Sequence, residues 1–212
     1  KATLGTGISE VLELDDYIYE IDNKSISHRP DMWGHYGFAR DLAAICHVDF
    51  KEENFGKITT AGKKKISVNV EDKAICPRYM TLIMDNVEVK ESPWWLKKAL
   101  WSIGLRPINN IVDLTNYAMW DAGHPLHAYD ADLAGTNELY VRYARNGEKL
   151  MTLDGKERIL TDKNVVIGTP GKPFILGGIM GGESTGVNEK TKSIIVEAAT
   201  FDPVITRKTG MS

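Results

Sequence analysis

A chain of 212 residues with 42% hydrophobic and 26% charged side chains has the composition of a globular domain. It is long enough for one substantial core or two small lobes. A formal net charge of −3 argues against a free-standing nucleic-acid binder that draws its affinity from neutralising phosphates, although a module receiving one terminal nucleotide from a larger machine needs few such contacts. Cys46 and Cys76 stand far apart, which disfavours a disulfide framework or a zinc site and points to a reducing cytoplasm. No signal-peptide pattern and no apolar run of membrane-spanning length are present. The ends, with Lys1 rather than an initiator Met, are expected to be cuts from a larger protein.

Residues 17–22 alternate apolar and polar side chains and predict a strand. Around His28-Arg29-Pro30-Asp31 the chain turns into a helix, with Pro30 suited to a first turn and Asp31 to the positive end of the helix dipole. Tyr36, Ala39, Leu42, Ala43 and Cys46 fall at three- and four-residue spacings and predict its buried stripe, with an end near His47. Residues 51–65 are polar, include Lys63, Lys64 and Lys65, and read as a solvated loop. Residues 66–70 and 79–84 read as strands. Ser92 and Pro93 then open a helix, as N-cap and first-turn residue. Trp95, Leu96, Ala99, Leu100 and Ile103 are expected on its buried side, and Gly104 stops it.

Beyond that point β signals dominate. Residues 139–143, 148–153, 156–160, 165–167, 172–176 and 193–197 are short strands punctuated by glycine, aspartate and asparagine. Asp154-Gly155 between two of them is a hairpin signal. The expected fold class is α+β: layered, mostly antiparallel and partly barrel-like sheets covered by a few helices.

Several motifs bear on chemistry. Gly182-Glu-Ser-Thr-Gly186 matches the spacing of a nucleophile elbow, but a polar turn follows it instead of a helix, and no histidine lies after Ser184 in the chain. Residues 177–184 come close to a phosphate-binding loop, yet Glu183 stands where the lysine is needed. His124, His127 and Asp130 could suggest a metal, but Pro125 interrupts a helix between the histidines and no further ligand is evident, so no metal is expected. Alternation places Ile195 and Glu197 on one strand face and Ile194 and Val196 on the other. Glu197 is then either an outward glutamate or a carboxylate held in a pocket, which is costly without a partner or a purpose.

Taken in order, His28-Arg-Pro-Asp31, Cys76-Pro-Arg-Tyr79, the segment from Val112 to Asp130, Thr152-Leu-Asp-Gly155, the glycine run from Ile175 to Ser184 and Ile194-Ile-Val-Glu-Ala-Ala199 resemble the editing module of the beta subunit of bacterial phenylalanyl-tRNA synthetase. The resemblance spans roughly residues 21–207 and implies one editing module over residues 1–212. Residues 1–75 would form its N-terminal strand, helix and loop region, and residues 76–212 its pocket-forming β-rich region. It implies hydrolysis of the ester joining tyrosine wrongly to phenylalanine tRNA. His127 is the implied catalytic residue, with Asn116, Gly177, Gly178 and Glu197 holding the substrate. The implied partners are the tRNA 3′ end, the alpha subunit of a hetero-tetrameric synthetase and tyrosine. No cofactor belongs to this piece, since ATP and Mg serve the aminoacylation site of the parent ligase. The rival reading is a non-catalytic module that braces the synthetase or orients tRNA.

Overall fold

A computed structural model describes residues 3–54, 56–62 and 64–211. Of the lysine run expected in the exposed loop, Lys63 lies outside the described residues, while Lys64 and Lys65 are exposed. The chain forms two compact units, each made of two stretches: Lys1–Asp49 with Glu91–His124, and Phe50–Lys90 with Pro125–Ser212.

The first unit is helical. It holds α1 (Ile8–Val11), 3-10 turns at Lys24–Ile26 and Pro30–Trp33, α2 (His35–Cys46), α3 (Trp94–Ser102) and α4 (Asn110–Ala122). Residues 17–22 form no strand. Tyr17, Ile18, Tyr19 and Ile21 are exposed, and alternation alone cannot hold a strand that has no partner to pair with. Helix α2 ends at His47 in a left-handed conformation, near the expected stop. Its buried residues are Gly37 and Ala43, whereas Ala39, Leu42 and Cys46 of the expected stripe are exposed. Close backbone approach replaces a broad apolar stripe here. A Cβ on Gly34 would stand 2.3 Å from the Gly123 amide nitrogen, so the start of α2 can rest on the end of α4 only without a side chain. Asp31 is held by Arg29 and Arg40, which keep its carboxyl at about 2, below the usual range.

Helix α3 buries Leu96 and Leu100 completely and leaves Trp95 exposed. Its N-cap is Pro93, one residue beyond the expected Ser92. Gly104, at φ +80°, donates to the Trp101 carbonyl while the Leu105 amide reaches back to Leu100, closing the helix end. Helix α4 was not expected from periodicity, although its caps are written in the sequence. The Asn109 side chain accepts from the Ile111 and Val112 amides, and Gly123 closes the end at φ +80°.

The second unit carries the sheets. Strands β1 (Ser67–Val70), β4 (Glu138–Tyr143), β7 (Val165–Gly168), β8 (Pro173–Leu176) and β9 (Met180–Gly181) form one sheet in that spatial order. Strands β2 (Arg78–Asp85), β10 (Ser193–Thr200) and β3 (His127–Asp130) form a second, with β10 central. Strands β5 (Lys149–Met151) and β6 (Glu157–Ile159) make a hairpin whose turn holds Asp154 and Gly155, the latter at φ +73°. Helices α5 (Ala131–Ala134) and α6 (Pro203–Gly210) complete it. All pairings are antiparallel except β1 with β4. The three sheets are open, so the layered α+β class holds without a closed barrel among the described residues.

The main core joins the two larger sheets. Tyr129 of β3 and Ile195 of β10 pack with Leu139, Val141, Ile167 and Ile175 of the five-stranded sheet. Alternate residues Val166 and Leu176 point the other way, into a second cluster with Leu150 and Leu160. Buried on both faces, β7 is apolar throughout, as such a strand must be.

Candidate functional site

Register places Glu197. On β10 it lies opposite Thr81 of β2 and opposite His127 of β3. Directly opposed residues of antiparallel strands share a face, so Glu197, Thr81 and His127 point the same way. Ile195 with Ile83 and Tyr129, and Ala199 with Tyr79, belong to that face too. It is the face that meets the five-stranded sheet through the main core. Glu197 is therefore an inward carboxylate, 6% exposed, at the polar end of an otherwise apolar surface.

Its partner is a phenol. The Tyr79 hydroxyl donates to Glu197 Oε2 at 2.5 Å. Burial pushes the Glu197 carboxyl up to about 7, and the Tyr79 hydrogen bond draws it part of the way back. Burial, and next to it the Glu197 charge, raise the hydroxyls of Tyr79 and Tyr129, and push the Cys76 thiol up to about 11. These groups stay protonated near neutral pH. The Tyr129 hydroxyl is enclosed and close enough to Glu197 and Tyr79 to feel both, yet makes no well-directed hydrogen bond.

His127 stands across the strand from the carboxylate, half-buried, with its ring stacked on Tyr129 at 5.8 Å between centroids and 24° between planes. Burial lowers its pKa to about 4, so the imidazole is neutral at physiological pH and can accept or relay a proton. The strand that carries it ends on Asp130, whose Oδ1 accepts from the Asp132 and Leu133 amides and whose Oδ2 accepts from Thr191. Asp130 is thus a helix cap and a strand anchor, engaged by two backbone amides and the Thr191 hydroxyl and not by His127. His124 is exposed and belongs to the other unit.

The glycines divide. Gly177 and Gly178 lie in the turn between β8 and β9, Gly178 at φ +70°. A Cβ on Gly177 would stand 3.1 Å from Val165 and 3.2 Å from Phe201, and one on Gly178 would press on Thr206 and Phe201. Packing within the protein is already tight at both, and the positive φ of Gly178 adds strain for any other residue. Gly181, which sequence reasoning passed over, is the glycine beside the site. A Cβ there would lie 2.6 Å from His127 Cε1 and Nε2, so the ring rests directly on the β9 backbone. The clue was the length of the glycine run from 177 to 182, longer than one turn requires.

Of the anticipated residues, the structure brings His127 and Glu197 side by side and sets Gly177 and Gly178 in the same unit. Asn116 is half-buried on α4 of the helical unit. Ser184, exposed, lies in a 3-10 turn at Glu183–Thr185 that leads toward β10, without the strand-to-helix geometry of a nucleophile elbow. Among the described residues no three His, Cys, Asp or Glu side chains are gathered as a metal ion would need. No described helix is long and apolar enough to cross a membrane. The helical unit has a separate cleft of about 260 Å³ beside α3, lined in part by Lys97, Trp101, Arg106 and Asp113.

Fold and site together define a sheet-based α+β module with a buried carboxylate, a phenol and a neutral imidazole on one inner face. Residues 75–212 match the B3/4 domain, and the chain belongs to that family. It is 44% identical over 210 residues to the phenylalanine–tRNA ligase beta subunit of Carboxydothermus hydrogenoformans, a match covering 99% of this chain and 26% of that protein. The corresponding subunit of Solibacter usitatus is 42% identical over 195 residues, covering 92% and 25%. The chain thus spans about a quarter of the length of these relatives. An N-terminal fragment of the phenylalanyl-tRNA synthetase beta subunit of Pyrococcus horikoshii shares the fold, with a TM-score of 0.51 at 17% identity over 97% of this chain and 68% of that one.

Proposed function

We propose that this module removes tyrosine wrongly esterified to phenylalanine tRNA, by hydrolysis, within a phenylalanine–tRNA ligase. The observation that carries this reading is the inward Glu197 carboxylate set directly across the strands from a neutral His127. A synthetic pocket shaped for an apolar ring rejects a ring bearing one extra hydroxyl only about 10²-fold. A site that hydrogen-bonds the hydroxyl reverses the preference, because a plain benzene ring leaves its buried polar group unpaired; such sites discriminate by roughly 10⁴-fold or more.

In this reading Glu197 accepts the phenol hydrogen of the substrate. His127, uncharged, holds and polarises the water that attacks the ester carbonyl. Gly177 and Gly178 shape the space for ring and ester. Water is the nucleophile, the terminal ribose hydroxyl is its natural assistant, and the module needs no cofactor of its own. ATP and Mg belong to the aminoacylation site of the parent enzyme. The partners are the 3′ end of phenylalanine tRNA and the alpha subunit, in the cytoplasm.

The test is release of tyrosine from mischarged phenylalanine tRNA by the complete ligase. Glu197→Ala should cost selectivity for tyrosine, and His127→Ala should lower the rate for any ester. Tyrosine release unchanged in both variants would overturn the assignment.

A further inference from the structure

Glu197 has two carboxylate oxygens, and the protein uses one. Oε2 takes the Tyr79 hydroxyl at 2.5 Å; Oε1 accepts no hydrogen bond among the described residues. Among the described residues, the titratable groups seen to meet the carboxylate are neutral near pH 7. His127 and Tyr129 from β3, and Cys76 from the turn before β2, supply no positive charge, and the five-stranded sheet contributes apolar side chains to this face. Tyr79 is thus the one donor holding the carboxylate in place among the described residues.

Its own position is fixed from three directions. It pairs with Ala199 in the β2–β10 ladder, diagonal to Glu197. The Ile75 carbonyl just before it accepts from the Asp202 amide, and the Cys76 thiol donates to the Arg78 carbonyl. The residue is half-buried, with its ring against the main core and its hydroxyl turned inward.

Resting on the reading of Glu197 as the group that recognises a phenol, we propose that Tyr79 is the positioning residue that sets the site's selectivity: its hydroxyl fixes Oε2 so that Oε1 alone is offered to the substrate. A carboxylate held by one oxygen rotates less freely, so the free oxygen presents its lone pairs over a narrower range of directions and depths to a phenol. The same bond favours the ionised form and offsets part of the upward pull of burial. A protonated carboxyl would donate as well as accept and would discriminate less between a ring with a hydroxyl and one without.

The experiment uses the full-length beta subunit in its assembled ligase. Hydrolysis of tyrosyl and phenylalanyl esters of phenylalanine tRNA is followed from pH 5.5 to about 9 for the unmutated enzyme, Tyr79→Phe, Glu197→Gln and the double variant. Tyr79→Phe removes one hydroxyl and keeps the ring. The expected result is a preference for the tyrosyl ester reduced on the order of tenfold, mostly through KM. The pH midpoint of that preference should move upward, and the double variant should be no less selective than Glu197→Gln alone. An unchanged preference and midpoint would overturn the proposal; so would a stronger preference, which would make Tyr79 a competitor of the substrate. If Glu197→Gln itself keeps full preference, the underlying reading of Glu197 fails, whatever Tyr79→Phe does. Should Tyr79→Phe fail to fold by circular dichroism, the unmutated enzyme crystallised with tyrosine decides. A retained Tyr79–Glu197 hydrogen bond supports the proposal, and a Tyr79 side chain swung away overturns it.

Discussion

Glu197 and His127 stand side by side with pKa values displaced in opposite directions by the same cause. Burial disfavours charge, which raises an acid and lowers a base. The carboxyl moves from 4.5 to about 7, so between those values the folded chain binds more protons than the unfolded chain, and stability falls as pH rises. The imidazole moves from 6.5 to about 4, so there the unfolded chain binds more, and stability rises with pH. Between 4.5 and 6.5 the two slopes oppose, each at most about 1.4 kcal/mol per pH unit. Glu197→Gln removes the falling slope and leaves the rising one. The melting temperature of the variant, relative to the parent, should therefore climb from pH 4.5 to 7 and level off above. A difference flat across that range would mean that Glu197 is not held as a buried acid. At this scale the sequence was informative: alternation put Glu197 with Ile195, and both do share the inner face. Alternation could not say which face was inner. Nor could it bring in Tyr79, whose place depends on strands 118 residues apart.

Helix ends were the elements where local rules competed with tertiary bonds. Ser92 before Pro93 is a conventional cap, yet its hydroxyl donates to Asp113 Oδ2 of α4 at 2.5 Å. Asp113 is fully enclosed and takes the Ile108 amide on its other oxygen. A hydrogen bond to a buried carboxylate outweighs an exposed cap, since an unmet buried acceptor costs about 1–3 kcal/mol and a cap is worth about 1. Ser92→Ala should therefore destabilise the helical unit by about 1–3 kcal/mol in denaturant titration followed by a local probe such as Trp94 or Trp101. A loss of only a few tenths, as expected for an exposed side chain, would show that the Ser92–Asp113 bond ties α3 to α4 only weakly. The missed α4 and the strand that does not form over residues 17–22 have one physical explanation. Periodicity reports which face would be buried if a partner exists, and only tertiary contacts supply the partner.

Across the whole molecule, burial is distributed unevenly. The second unit encloses most of the large apolar residues, among them Tyr129, Leu139, Val141, Val166, Ile167 and Ile195 at 1% exposure or less. The helical unit encloses fewer, chiefly Leu96 and Leu100, and leaves Trp33, Leu42, Ile45 and Val48 more than half exposed. Each unit gathers two separate stretches, and the chain crosses from one to the other near residues 49, 90 and 124, so long-range contacts define the units. Each buried large apolar side chain contributes about 1.5–3 kcal/mol, and regions with few of them open first. Native-state hydrogen exchange should then rank the amides of β7 and β10, hydrogen-bonded on both sides within their sheets, as the slowest in the chain. Those of α2 should exchange through openings of lower free energy and lose protection at lower denaturant concentration. Matching protection in α2 and β7 would mean that the chain opens as one cooperative body. A stiff sheet also fixes the geometry of the Glu197–His127 pair, because a carboxylate and an imidazole carried on adjacent strands keep their spacing only while the strands stay paired.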